Sequence, residues 1–190
     1  MAAFVPDSAL TTTCILRTFP IQPPIMNSAA AAFLESFGTT NISVEAAALI
    51  RKLTEDRQTL ISLMNKDPGD MNAVYKYAEQ YLQNLSQLLE SLNCCGSVRL
   101  QKMLALSWRG AQGLIDEAHR IPSTVQQEII YEIIMIIYVL GLAKYATAVN
   151  LLHSNGAPIS KEALKEAAKC FLDAAGIFQY LVEDTVRKIV

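Results

Sequence analysis

Residues 70–93 read DMNAVYKYAEQYLQNLSQLLESLN, and the spacing of the apolar side chains in this stretch decides the fold class. Apolar residues recur there every three or four positions, which is the period of one face of an α-helix. Asp70 stands where its side chain can cap the first turn. We therefore predict a long amphipathic helix over 70–92. Its apolar stripe consists of Val74, Tyr77, Ala78, Tyr81, Leu82, Leu85, Leu88, Leu89 and Leu92.

The residues before this stretch predict a second long helix that packs against the first. It spans 44–65, Ser43 can cap it, and Pro68-Gly69 ends it. Because few residues connect the two helices, we expect them to lie antiparallel. A shorter, alanine-rich helix is predicted over 28–37. The apolar positions of the 44–65 helix are Val44, Ala47, Ile50, Leu53, Leu60, Ile61 and Met64.

Two further long helices are predicted in the C-terminal half, over 124–153 and 161–188. Pro122-Ser123 opens the first of them, and Ser160 caps the second. Between the second and third long helices, larger and smaller residues alternate, which favours a short strand near 103–108. The last helix has small residues in its apolar row, so a neighbouring helix can approach it closely. That row consists of Ala163, Ala167, Cys170, Phe171, Ala174, Phe178, Leu181 and Val182.

The predicted fold class is therefore mainly all-α, with long antiparallel helices. Residues 1–26 contain four prolines, which prevent a regular helix, and we interpret them as an irregular N-terminal arm. Residues 27–190 are interpreted as one helical domain. A chain of 190 residues with 52% hydrophobic content is long and apolar enough for a packed core of this kind.

The charge and cysteine content narrow the class of partner and the compartment. Sixteen basic and eighteen acidic side chains give a net charge of -2, which provides no positive field for nucleic acid. Cys94 and Cys95 are adjacent, a spacing that rarely suits a disulfide, and this indicates reduced, cytoplasmic cysteines. The most apolar run, 133–143, lies between Glu132 and Lys144 and is too short to span a bilayer. No transmembrane segment is expected.

The sequence offers little for catalysis or for metal binding. His119 and His153 are the two histidines, and the common metal, dinucleotide and phosphate-binding motifs do not occur. Glu128 and Glu132 are four residues apart on one predicted helix face, as in some metal-binding bundles, but the Glu-x-x-His pairs of those bundles are missing. We therefore expect no catalytic residues, no cofactor and no metal site, and interpret the chain as non-enzymatic.

The stretch from Leu104 to Val186 resembles the N-terminal half of the Bro-one domain, the Alix-like module that works with the ESCRT membrane-remodelling machinery. Leu106-Ser107-Trp108 is similar to the family's apolar-x-Trp strand, and Tyr131-Glu132 to the aromatic-Glu pair that opens its long central helix. The run ALKEAAKCFLDAAGIFQYLVEDTV, residues 163–186, resembles the family's helix of Leu-Lys-x-Ala-Ala-Lys followed by Ala-Gly-x-Phe. Gly110 and Tyr138-Val139 depart from the family pattern, so the resemblance is to a divergent member. The family's domain is about twice as long as this chain, so 27–190 would be an incomplete domain.

This resemblance implies a curved solenoid of helices and an adaptor function in endosomal sorting. The partner would be the amphipathic C-terminal helix of an ESCRT filament subunit of the charged multivesicular body class, bound in a groove. The resemblance assigns Lys165, Ala168 and Leu172 to protein binding. From the residues alone an alternative stays open, in which Lys165 lies on a solvated helix face and the other two residues lie in the core. It also implies a cytoplasmic protein in peripheral association with endosomes.

Two further expectations come from the residues themselves. The row of small residues from Ala167 to Phe178 also resembles the second helix of a tetratricopeptide-type repeat, so a general helical-repeat scaffold is the alternative function. The last helix carries apolar residues outside its main stripe, among them Ile177, Tyr180 and Val190. An apolar patch of that kind favours self-association through the C-terminal helices.

Overall fold

The computed structural model describes residues 44–65, 70–94, 125–152 and 159–185. Nearly all of this part is helical, and it contains no strand. The four helices are α1 (Val44–Asn65), α2 (Met71–Cys94), α3 (Val125–Leu152) and α4 (Lys161–Tyr180). The all-α prediction and the four long helices are therefore confirmed. The arm at 1–26, the short helix at 28–37 and the strand near 103–108 lie outside the described residues.

The four helices stack in chain order. Helix α1 packs against α2, α2 against α3, and α3 against α4. Helices α2 and α3 are antiparallel, because Tyr81 contacts Glu132 while the earlier Tyr75 contacts the later Lys144. The same reversal relates α3 to α4. The rings of Tyr138 and Phe178 lie 5.9 Å apart, and those of Tyr145 and Phe171 lie 5.5 Å apart.

The direction of α1 relative to α2 follows from the length of the chain between them. Helix α1 has 22 residues and is about 33 Å long. Only residues 66–70 join it to α2, and so short a connection reaches about 20 Å at most. A parallel return along the full length of α1 is therefore out of reach, so the two helices lie antiparallel, as the sequence predicts.

Asp70 and Ser160 begin their helices by capping, as predicted from the sequence. The backbone N–H of Ala73 donates to Asp70 Oδ1 at 3.0 Å, and that of Ala163 donates to Ser160 Oγ at 3.1 Å. The end of the last helix differs from the prediction of one α-helix over 161–188. Helix α4 ends at Tyr180 and continues as a π-helical turn, Leu181–Thr185.

The hydrophobic core has two parts. The larger part lies among α1, α2 and α3 and includes Leu53, Leu60, Leu85 and Ile136, each almost fully buried. The smaller part joins the end of α3 to the start of α4. It contains the buried Ala148, Ala167 and Cys170, packed with Leu151, Leu152 and Phe171.

Helix α3 is the most apolar of the described helices. Its residues Ile129–Leu152 have a mean hydropathy of 1.8 and are long and apolar enough to cross a membrane by length and composition alone. In the fold, half of that stretch is buried in the protein, and α3 lies between α2 and α4. The core helix of a compact protein meets the same criteria. The expectation that the chain has no transmembrane segment stays a prediction.

Candidate functional site

One exposed face of α4 and of the π-helical turn that follows it is the candidate binding site, and we call it the outer face. It contains a second apolar row besides the one that packs on α3. Leu172 is 74% exposed, Val182 is 68% exposed and Leu164 is 49% exposed. Their spacing, with Ala168 and Ala175 between them, places them along one side of the helix. The residues of the outer face are Lys161, Leu164, Lys165, Ala168, Leu172, Ala175, Gly176, Gln179, Val182 and Glu183, all exposed.

The three residues assigned to protein binding from the sequence lie together on this face. Lys165, Ala168 and Leu172 are spaced by three and four residues, so they are neighbours on α4. All three are exposed. The alternative interpretation of Ala168 and Leu172 as core residues therefore does not hold in this fold, because the core side of α4 is formed by other residues.

Lysines form a row beside the apolar part of the outer face. Lys161, Lys165 and Lys169 are each four residues apart and exposed, so their ammonium groups line one edge of α4. Lys144 on α3 has a different role, because it pairs with Asp173 at 3.4 Å and lies 4.5 Å from the ring centroid of Tyr75. The outer face therefore combines large apolar side chains with a row of lysines along one edge, next to the exposed Glu162 and Glu166.

The core side of α4 holds the outer face in place. Ala167, Cys170 and Ala174 are buried there, and their small side chains allow α3 to approach closely. Ala174 is 2% exposed, which confirms the prediction that it packs against a neighbouring helix. Val182, in contrast, was expected in the core row and is mostly exposed, because the α-helical repeat gives way to the π-helical turn at Leu181.

Gly141 on α3 lets the ring of Phe178 lie against the helix backbone. A Cβ atom at position 141 would come within 2.5 Å of Phe178 Cε1, far closer than a carbon contact allows. The ring therefore occupies the space that any larger residue at 141 would need. This contact fixes the distance between α3 and the second half of α4, and with it the position of Leu172 and its neighbours.

A buried polar network joins α1, α2 and α3. Arg57 Nε donates to Glu132 Oε1 at 2.7 Å, and the hydroxyl of Tyr81 donates to the same oxygen at 3.0 Å. Arg57 is 2% exposed and Glu132 is fully buried. The network therefore takes one residue from each of α1, α2 and α3, and it links the three helices inside an apolar core.

The surroundings of this network shift two of its pKa values. Burial raises the pKa of Tyr81 well above its ordinary value of 10.0, and the charge of Glu132 adds to this effect. Burial acts to lower the pKa of Arg57, but Glu132 and Tyr81 together outweigh it, so this pKa is raised. The hydroxyl of Tyr81 thus stays protonated as a donor. Because the network is buried away from solvent, we assign it a structural role.

Asp56 forms a neighbouring polar cluster with α2. Asn84 Nδ2 donates to Asp56 Oδ2 at 2.6 Å, and Gln80 Nε2 donates to Oδ1 at 3.3 Å. Burial raises the pKa of Asp56, while the hydrogen bond from Asn84 and the charge of Lys52 oppose the shift. Together with the Arg57 network, this cluster forms a polar layer that fixes the register of α1 on α2.

The described residues do not gather into a metal site. No three His, Cys, Asp or Glu side chains among them lie close enough together to hold an ion. Glu132, one of the two glutamates considered for a metal, is held by Arg57 and Tyr81, and the side chain of Glu128 lies outside the described part. His119 and His153 also lie outside it. An open depression on α1, lined by Glu55, Gln58, Thr59, Ser62 and Leu63, belongs to the face of a single helix.

Comparisons of the chain with protein-family models, with curated proteins and with solved structures found no match.

Proposed function

We propose that the chain is a non-enzymatic adaptor of the Bro-one type, which binds an amphipathic helix of an ESCRT filament subunit. The observation that carries the proposal is the outer face of α4, where large apolar side chains are exposed on a helix whose other side packs on α3. Lys165, Ala168 and Leu172 would contact the partner. The protein would act in the cytoplasm, at the surface of endosomes.

The outer face has the physical properties that helix recognition needs. An amphipathic helix docks by placing residues spaced by three and four positions against a complementary apolar surface. Leu164 and Leu172 supply such a surface along α4, and Val182 extends it into the π-helical turn. Ala168 and Ala175 between them let a second helix approach closely, and binding would remove the exposed leucines from water.

The lysine row defines the chemistry of the partner. Lys161, Lys165 and Lys169 border the apolar row on one side, so the bound helix should carry acidic residues along one edge of its apolar face. Such charges steer association and select the orientation of the helix more than they add affinity. An acidic amphipathic helix is therefore the occupant we propose for this surface.

The stacking of the helices supports the solenoid part of the proposal. Each described helix packs on the next in chain order, and a curved solenoid extends such a stack with further helices. In the family that the chain resembles, the domain is about twice as long. The complete groove would then need helices beyond those described, and α4 would form one of its walls.

The test is a titration of the full chain with fluorescent C-terminal helical peptides of ESCRT filament subunits. We expect saturable binding that Leu172→Asp weakens about tenfold or more, because a carboxylate would be placed against the partner's apolar face. Val44→Asp is the matched control, since Val44 is an exposed apolar residue on another helix, and it should leave binding unchanged. Equal binding by both variants would show that the outer face is not the site.

A general helical-repeat scaffold is the second candidate, because the chain-order stack and the small residues on the core side of α4 suit it as well. The same titration separates the two functions. A peptide whose acidic residues are replaced by lysine keeps its apolar face but should lose affinity for the lysine row. A scaffold without this preference would bind both peptides alike.

A further inference from the structure

We propose that the outer face of α4 also binds a second copy of this chain, as an antiparallel helix pair with two-fold symmetry centred on Leu172. The proposal rests on the sequence of this face, which is complementary to itself when it is reversed. The self-pairing does not depend on the proposed function. The partner of this exposed surface would be a second copy of the chain itself.

The spacing of the outer face fits a helix seam. Lys161, Lys165, Ala168, Leu172, Ala175 and Gln179 follow one another along α4 at alternating intervals of four and three residues, the repeat that keeps a seam facing a partner helix, and Val182 follows in the π-helical turn. The opposite side of α4 is already buried against α3. A second helix can therefore reach this seam without displacing α3.

The apolar residues match across the two-fold axis. Leu172 would face Leu172 of the second copy, because it lies on the axis. Leu164 lies eight residues before Leu172, and Val182 lies ten residues after it on the same flank. Leu164 of one copy would therefore contact Val182 of the other copy. These are the three large apolar residues of the outer face, and the pairing removes all of them from water.

The small residues of the face allow the two helices to approach closely. Ala168 lies four residues before Leu172, and Ala175 lies three residues after it on the same flank, so they meet across the axis. Gly176 lies four residues after Leu172, on the other flank. Apart from its chain neighbours and the backbone of its own helix, no atom lies within 4 Å of the position that a Cβ atom would have at Gly176, so this part of the surface is open. Small residues on both sides of Leu172 give each leucine room to insert into the opposite helix.

The charged residues match in the same register. Lys161 lies eleven residues before Leu172, and Glu183 lies eleven residues after it. Each would therefore meet the opposite charge on the second copy, and symmetry provides the pair twice. Lys165 lies seven residues before the axis and would face Gln179, seven residues after it, whose oxygen can accept a hydrogen bond. A parallel pair would instead place lysine against lysine along the whole row, which is unfavourable.

The self-pair would regulate the adaptor, and this consequence alone rests on the proposed function. Lys165, Ala168 and Leu172 cannot contact an acidic helix and a second copy at the same time. One helix face buries less area than a standard stable interface, which suggests a weak dimer that dissociates on dilution. Binding of the partner helix would then draw the chain into the monomer.

The first experiment traps the two-fold axis. Leu172→Cys should form a disulfide between two copies under mild oxidation, because the residue faces itself, and peptide mass spectrometry identifies the linked position despite the native cysteines. Gln83→Cys, on the exposed side of α2, is the control and should not link. Failure of Leu172→Cys to link, or equal linking by the control, would overturn the proposal.

The second experiment tests the register without any partner peptide. Sedimentation over a range of concentrations should show a monomer–dimer equilibrium that Lys161→Glu and Glu183→Lys each weaken, by about three- to tenfold in Kd, because each creates two like-charge contacts. The double variant Lys161→Glu/Glu183→Lys should restore the dimer. A chain that stays monomeric at every concentration, or a dimer that ignores the charge reversals, contradicts the pairing. Either result leaves the peptide titration to decide the proposed function separately.

Discussion

Arg57 and Glu132 are charged residues at positions where the helical spacing predicts apolar side chains. Arg57 follows Leu53 and precedes Leu60 in the buried row of α1, and Glu132 lies between Ile129 and Ile136 in α3. A buried ion pair adds little net stability compared with apolar side chains of the same size. Its larger effect is on specificity, because only one alignment of α1, α2 and α3 brings the charges together.

The first prediction removes one side of this pair. Glu132→Ala leaves the guanidinium of Arg57 in the core without its carboxylate, and we expect the free energy of unfolding to fall by about 3–5 kcal/mol. The double variant Arg57→Met/Glu132→Leu removes both charges and should recover most of this loss. Urea unfolding followed by circular dichroism measures both effects. A loss for the double variant as large as that for Glu132→Ala would show that the pair itself stabilises the fold.

The second prediction concerns the hydroxyl of Tyr81 and alkaline pH. Burial raises its pKa in the folded state well above 10.0, so above about pH 10 the unfolded chain releases this proton while the folded chain keeps it. The stability that the hydroxyl provides is therefore complete below pH 10 and is lost as pH rises beyond it, by about 1.4 kcal/mol per pH unit.

Tyr81→Phe provides the comparison. Below pH 10 the variant should be less stable than the parent chain by about 1.5–3 kcal/mol, because the hydrogen bond to the Glu132 carboxylate is lost. Above pH 10 the difference between the two proteins should shrink, since the variant has no proton to release at this position. Urea unfolding at several pH values between 8 and 11 measures it. A difference that stays constant would show that Tyr81 ionises normally in the folded chain.

At the scale of helices, the third prediction compares Gly141, in the contact between α3 and α4, with Gly176, on the exposed outer face. Gly141→Ala places a methyl group where the ring of Phe178 lies, so α4 must shift or the ring must turn, and we expect the free energy of unfolding to fall by about 1–3 kcal/mol. Gly176→Ala has open space around it and replaces a poor helix former, so it should add about 0.5–1 kcal/mol. Thermal unfolding measures both, and equal effects would contradict the close contact.

The sequence predicts the helices well and the positions of single residues less well. The apolar spacing and the caps Asp70 and Ser160 predict α1 to α4 within a few residues, because burial and capping act locally. The role of Glu132 was missed, since its partners lie on two other helices, far away in sequence. A charged residue in the middle of an apolar row was the signal that could have revealed it.

The outer face is a second case in which the sequence predicts the local arrangement of residues but not their tertiary surroundings. Helical spacing alone places Lys165, Ala168 and Leu172 on one side of α4. It does not show whether that side meets solvent, because α4 carries apolar residues over more than one stripe. The packing of α3 on Ala167, Cys170 and Ala174 decides this, and it depends on contacts between residues distant in sequence.

At the scale of the whole molecule, the stability of the described helices is unequal. The polar layer and the larger core join α1, α2 and α3 and bury large side chains, whereas the buried residues of α4 are the small Ala167, Cys170 and Ala174. Regions with fewer buried contacts open at lower free energy than the rest of a protein. We therefore expect α4, which carries the outer face, to open before the other three helices.

The last prediction tests this order with Ala174→Arg. Ala174 is buried against α3, so the arginine would place an unpaired charge in the contact and cost several kcal/mol, about 3 or more. Because the arginine disrupts the contact of α4 with α3, the loss of stability should appear first as faster hydrogen exchange in 161–180, while α1 and α2 keep most of their protection. Glu166→Arg, exposed on α4 and outside the outer face, is the control and should leave the exchange pattern unchanged. Equal loss of protection in all four helices would show instead that α4 unfolds only together with the whole chain, because the contacts of Ala174 would then be coupled to the polar layer through α3.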